Sequence, residues 1–127
     1  MTKEQKDLLM KDLCSRLPYG VKGQYNNTVM SLHMINPFDN YCPLYCVTES
    51  GSKYIGIDEF KPYLLPLSSM TAEQKREYAR IVVMSGNIAT ARLAGMTVQD
   101  WFSKNHFDYR GLIPMGLAND ATGLNIY

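Results

Sequence analysis

Gly20-Val21-Lys22-Gly23-Gln24-Tyr25-Asn26-Asn27-Thr28-Val29-Met30-Ser31-Leu32-His33-Met34-Ile35 decides the fold class of this chain. Gly20–Tyr25 reads as a strand, and Asn26-Asn27 supplies turn chemistry. Thr28–Ile35 reads as a second strand, with Leu32 and Met34 alternating with polar Ser31 and His33. Asn36-Pro37-Phe38-Asp39-Asn40 follows as a loop dense in turn residues. Tyr41–Thr48 is rich in aromatic and Cys residues, and Pro43 marks it as an edge strand or bulge. Glu49-Ser50-Gly51-Ser52 is the next turn, and Lys53–Phe60 a fourth candidate strand. Loops this short join antiparallel neighbours, since a parallel pair needs a crossover of roughly a dozen residues or more. Residues 20–64 are therefore expected to form a small, curled antiparallel sheet of about four strands, such as an open barrel of the SH3-like kind.

Helices are expected on both sides of that sheet. Thr2-Lys3-Glu4-Gln5-Lys6 and Thr71-Ala72-Glu73-Gln74-Lys75 share a capping-box pattern, in which the Thr hydroxyl takes an N–H of the first turn and Gln reaches back. The first helix is expected over residues 3–16. Leu9, Leu13 and Leu17, with Met10 and Cys14 beside them, give it one apolar stripe, and Lys and Asp a solvated face. Pro18-Tyr19-Gly20 stops it. Lys61–Leu67, with prolines at 62 and 66, leads out of the sheet as an extended segment suited to covering a sheet edge. A second long helix is expected over residues 72–94, kinked or split at Ser85-Gly86-Asn87 and ended by Gly95. Thr97 caps a short helix over 98–105. Residues 106–127 read as an irregular, apolar tail. The expected whole is one α+β domain over residues 1–127: N-terminal helix, antiparallel sheet, C-terminal helical pair and tail.

Composition bounds the function. The 127 residues are 46% hydrophobic, with nine Tyr, four Phe and one Trp, so the chain can bury a core and disorder is excluded. Thirteen basic against twelve acidic residues leave +1, so no net field draws nucleic acid or an anionic membrane. No apolar run approaches the ~20 residues that span a bilayer. Met1 to Asp7 carries mixed charge with no secretory h-region behind it. A cytosolic protein is the expectation. Cys14, Cys42 and Cys46 form no disulfide framework and read as reduced thiols. Only His33 and His106 are available to complete a zinc set, at spacings that match no standard module, so neither metal nor cofactor is expected.

The densest polar and aromatic stretch is Trp101-Phe102-Ser103-Lys104-Asn105-His106-Phe107-Asp108-Tyr109-Arg110-Gly111. His106 offers a base, Asp108 a carboxylate and Arg110 a guanidinium, a set a phosphate-directed hydrolase would use. The same residues have structural uses. His106 can end the short helix, Asp108 can accept backbone N–H groups in a turn, and the aromatics can fill a core. Phosphate-loop, dinucleotide, nucleophile-elbow and metalloprotease signatures are absent. Candidate binding residues are Trp101 and Tyr109, with Arg76 and Arg80, which would need Lys53, Lys61 and exposed tyrosines beside them to make a nucleic-acid face.

Three stretches carry a resemblance: Leu13-Cys14-Ser15-Arg16-Leu17-Pro18-Tyr19-Gly20-Val21; Lys61-Pro62-Tyr63-Leu64 with Leu67-Ser68-Ser69-Met70-Thr71; and Asn105 to Ile113 with Gly116-Leu117-Ala118. Together they resemble a family of short uncharacterised proteins of Bacteroides-type gut bacteria and their phages or mobile elements. The resemblance implies a bacterial or infected-cell setting and an accessory role. It carries no catalytic or cofactor residue. The leading expectation is a non-enzymatic interaction module for a protein or nucleic-acid partner, with a homodimer compatible with an edge strand and apolar tail. The alternatives are a binder of a small nucleotide-like ligand and the hydrolase built on His106, Asp108 and Arg110.

Overall fold

The computed structural model describes residues 1–85 and 97–127. The fold is α+β. Helix α1 (Lys3–Arg16) precedes a 3-10 turn (Leu17–Tyr19) and strands β1 (Val21–Tyr25), β2 (Thr28–Ile35), β3 (Leu44–Thr48), β4 (Gly51–Ile55) and β5 (Lys61–Leu64). A second 3-10 turn (Leu67–Ser69), helices α2 (Ala72–Ser85) and α3 (Val98–Lys104) and the two-residue strand β6 (Asn119–Asp120) complete the described elements. The expected continuation of α2 to Ala94, its kink at Ser85-Gly86-Asn87 and its stop at Gly95 lie outside the described residues.

The sheet has six strands in the order β4-β3-β2-β1-β5-β6. The pairs among β1 to β5 are all antiparallel, and β6 runs parallel to β5. The sheet is open, with β4 and β6 as its edges, so the barrel does not close. The meander is built as its turns require. Asn26 and Asn27 both take positive φ, 46° and 63°, as a two-residue hairpin turn compatible with strand twist demands. Several strand boundaries differ from the sequence expectation, including the start of β4, which takes in Gly51 and Ser52 from the expected turn. β3 starts only after Pro43, which has no N–H for a ladder, and β4 ends at Ile55, before a turn through Asp58 and Glu59. The Lys61–Leu67 lead-out does cover an edge: its first four residues are β5, with Gly23 opposite Pro62.

Gly23 shows why that pairing needs a glycine. A Cβ there would collide with the ring of Phe60, which is fully buried against it. The main core lies between one sheet face and α1, where Leu9 and Leu13 meet Val21, Met30, Leu32, Leu44, Cys46, Ile55, Phe60 and Leu64. Leu112, Leu117 and Ala118 close it from the tail, so that segment packs back as apolar tails do. A second, aromatic core of Trp101, Phe102 and Phe107 joins α2 and α3 through Tyr78 and Ile81. The Trp101 indole N–H donates to Glu77 Oε1 at 3.0 Å, which satisfies the one polar atom of a buried ring.

Among the described residues all three α-helix starts are capping boxes. Thr2 with Gln5, Thr71 with Gln74, and Thr97 with Asp100 exchange reciprocal bonds of 2.9–3.2 Å. The face of α1 differs from expectation. Asp12 and Arg16 are fully buried beside Leu9 and Leu13, whereas Cys14 is exposed. An Asp placed on a solvated face by the apolar periodicity is instead inside, because a buried cation meets it there.

Candidate functional site

The segment 101–113 is positioned by backbone bonds to β5 and its extension. The Leu65 N–H donates to His106 O and the Asp108 N–H to Leu65 O, both at 2.8 Å. α3 ends in a Schellman arrangement: the Phe107 N–H reaches Phe102 O at 2.9 Å and the His106 N–H reaches Ser103 O at 3.2 Å. His106 therefore occupies the left-handed position, φ 64°, where His is one of the few tolerated non-glycine residues.

From this frame the three candidate catalytic side chains go to separate partners. The Asp108 carboxylate accepts the N–H groups of Leu112 at 2.8 Å and Ile113 at 2.9 Å, closing the turn that follows. Arg110 Nε donates to Asp12 Oδ1 at 3.0 Å, and its Nη2 to the Tyr109 hydroxyl at 2.9 Å. The His106 ring stacks on Tyr127 at 3.5 Å between centroids and 7° between planes. Base, carboxylate and guanidinium are not presented together to one reacting atom.

A charged hub binds the N-terminal helix to this segment. Asp12 takes Arg16 Nε at 2.7 Å, Arg16 Nη2 at 3.2 Å and Arg110 Nε. Arg16 Nη2 also donates to Phe107 O at 2.7 Å, and Arg16 Nη1 is buried without a protein partner. One carboxylate thus holds two guanidinium groups, and a net positive field reaches their neighbours. Burial, with the Arg16 and Lys22 charges behind it, pushes the His106 imidazole down to about 4. Burial likewise pushes the Tyr127 phenol up to about 12. That phenol accepts the Lys22 N–H at 3.0 Å and lies 2.8 Å from Tyr63 O, its nearer acceptor.

The candidate binding residues separate in the same way. Trp101 is 1% exposed and stacks on Phe107, centroids 5.7 Å apart, so it offers no platform to a base. Tyr109 stacks on Phe102 at 5.3 Å and lies under the Arg16 and Arg110 guanidinium groups. Arg76 and Arg80 are exposed on α2, sharing a shallow depression with Glu73 and Glu77. That is mixed charge rather than a basic stripe. Lys53 lies over the Tyr25 ring at 4.8 Å. Cys42 is in the loop before β3 and Cys46 is buried in β3, its thiol pushed up to about 12 by burial. No His, Cys, Asp or Glu cluster among the described residues has the makings of a metal site, and no described helix is long and apolar enough to cross a membrane.

The feature that sequence reading passed over is the β2–β3 loop. Phe38 is 90% and Tyr41 87% exposed, far outside the habit of aromatic side chains. The backbone carrying them is tied by five hydrogen bonds. Asn36 Oδ1 accepts the Phe38 N–H, Asp39 Oδ1 accepts those of Tyr41 and Cys42, and the Asn36 and Asp39 N–H groups donate to Pro43 O and Asn36 O. Those bonds from Tyr41 and Cys42 hold the Asp39 carboxyl below the usual carboxylate range. The adjoining ends of β2, β3 and β4 carry Met34 and Tyr54, both more than half exposed, and Tyr45, whose ring meets Tyr54 at 4.9 Å. The signal available in the sequence was Asn36 and Asp39 spaced around two aromatics, a pattern of side-chain-locked turns.

No protein-family model, curated protein or solved structure matches the chain.

Proposed function

We propose that this protein is a non-catalytic interaction module that docks a partner protein through the β2–β3 loop. One observation carries the reading: two nearly fully exposed aromatic side chains stand on a loop whose backbone is already ordered. A rigid loop loses little entropy on binding, and aromatic anchors dominate the energy of interfaces. Met34, Tyr45 and Tyr54 extend the same end of the sheet as a contiguous surface. The resemblance to short proteins of Bacteroides-type gut bacteria and their phages fits an accessory role in a bacterial or infected-cell cytosol. The separate partners of Asp108 and Arg110 support a structural use for those two.

The test is a photo-cross-linking amino acid at position 38, with a second at exposed Lys11 as control, in cells that express the protein naturally. A discrete protein adduct from position 38 alone, lost on Tyr41→Ala, is expected. Equal labelling from both positions, or none from 38, rejects the reading. A self-adduct would assign the surface to a homodimer.

A further inference from the structure

A second region, apart from the exposed aromatics Phe38 and Tyr41, has the character of a ligand site. A cleft of about 300 Å³ lies beside the β1–β2 hairpin, lined by Tyr19, Lys22, Ser31, His33, His106 and Tyr127 together with Gly20, Val21 and Leu32. Among the described residues no Asp or Glu lines it. We propose that this cleft binds a small phosphate-bearing molecule, with Lys22, His33 and His106 around the phosphate.

Three nitrogen-bearing side chains reach the cleft from three different elements. Lys22 comes from β1 and His106 from the turn that ends α3. His33 comes from a bulge in β2: Leu32 pairs with Cys46 and Met34 with Tyr45, leaving His33 without a partner in β3. Bulges of this kind re-aim a side chain at a site. Lys22 Nζ uses one donor on Ile126 O at 3.1 Å, and an ammonium has two more to give. The buried Arg16 adds its charge behind His106, and the field that disfavours a proton on that ring favours an anion near it.

The geometry suits a phosphate better than a carboxylate. A carboxylate is matched by one planar guanidinium fork, whereas point-like donors from several directions fit a tetrahedral, multiply charged oxyanion. Lys22, Ser31 and His33 also border a shallower depression of about 620 Å³ that runs over Val29, Val47 and Thr48 and ends at Glu49 and Ser50, the one carboxylate of that lining. The organic part of a phosphate monoester would lie there, on the valine side chains.

The test is NMR titration of the protein with inorganic phosphate and with AMP, against sodium chloride at matched ionic strength. Expected are saturable shifts of the His33 and His106 ring signals, an upward move of the His106 titration midpoint, and shifts of the Val29 and Val47 methyls with AMP alone. Lys22→Ala and His33→Ala, both at exposed positions, should each weaken binding about tenfold, the worth of one charge-assisted hydrogen bond. Shifts reproduced by chloride, AMP binding that leaves both valines unmoved, or full binding retained in both variants overturns the proposal.

Discussion

The Asn105–Gly111 segment and the Asn36–Cys42 loop are alike in composition, each mixing aromatics with Asn and Asp, yet they use those residues in opposite ways. In the first, polar groups bridge distant parts of the chain: Arg110 reaches Asp12, and Arg16 reaches Phe107 O. In the second, Asn36 and Asp39 bond only within the loop. The aromatics follow suit. Phe107 is fully buried while Phe38 is almost fully exposed. Long-range polar bonds mark a segment that holds the fold together. Local ones leave side chains free for something outside it.

The sharpest way to break this contrast is to remove the hub's carboxylate. Asp12→Ala leaves two guanidinium groups facing each other, one of them fully buried, and should cost about 3–5 kcal/mol in chemical denaturation. Asp108→Ala strips the acceptor from two backbone N–H groups, and a loss of about 1–3 kcal/mol is expected by the same measurement. Asn27→Ala places a Cβ-bearing residue without a compensating amide at φ 63°, for roughly 1–2 kcal/mol, while Asn27→Gly should be neutral or stabilising. Phe38→Ala and Tyr41→Ala should stay within about 0.5 kcal/mol of the parent. A large loss from either would mean that the loop aromatics serve the fold after all.

Acid should separate the two regions as well. The folded His106 ring titrates at about 4, below its ordinary 6.5. The unfolded chain therefore binds the extra proton first, and the stability from this group, full above pH 6.5, is lost as pH falls to 4. The melting temperature should decline over that window, and His106→Gln should flatten the decline. Asp39 is held below the ordinary 3.8, so its loop should keep its order until lower pH.

Much of the scaffold was legible because it depends on neighbours in sequence. The Thr-x-x-Gln starts of α1 and α2 are decided within one turn, and the Asn26-Asn27 turn within two residues. Leu32 and Met34 announced a strand, but the bulge at His33 between them arises from pairing with β3 and left no local mark. β6 is two residues long, and its pairing is set by where the tail crosses β5. Asp12 and Arg16, four apart, carry the pattern of a solvated helix pair, and only Arg110, 94 positions beyond Arg16, shows that they are inside. Trp101 read as a candidate for binding or for core, and its burial with Phe102 places it in the core. Phe38 and Tyr41 read as loop; Asn36 and Asp39 mark the locked turns that carry them, but the direction of the two rings is set by what packs around the loop and has no local mark.

The order of contacts along the chain has a kinetic consequence. Among themselves β1 to β4 pair in sequence order, so the meander can assemble without closing a long loop, and the β1–β5 pairing is added afterwards. The Asp12–Arg110 bond spans 98 positions and the β5–β6 pairing more than 50; contacts so distant form late in folding. Substitutions in the hub should therefore speed unfolding and leave the refolding rate nearly unchanged, whereas Asn27→Ala should slow refolding.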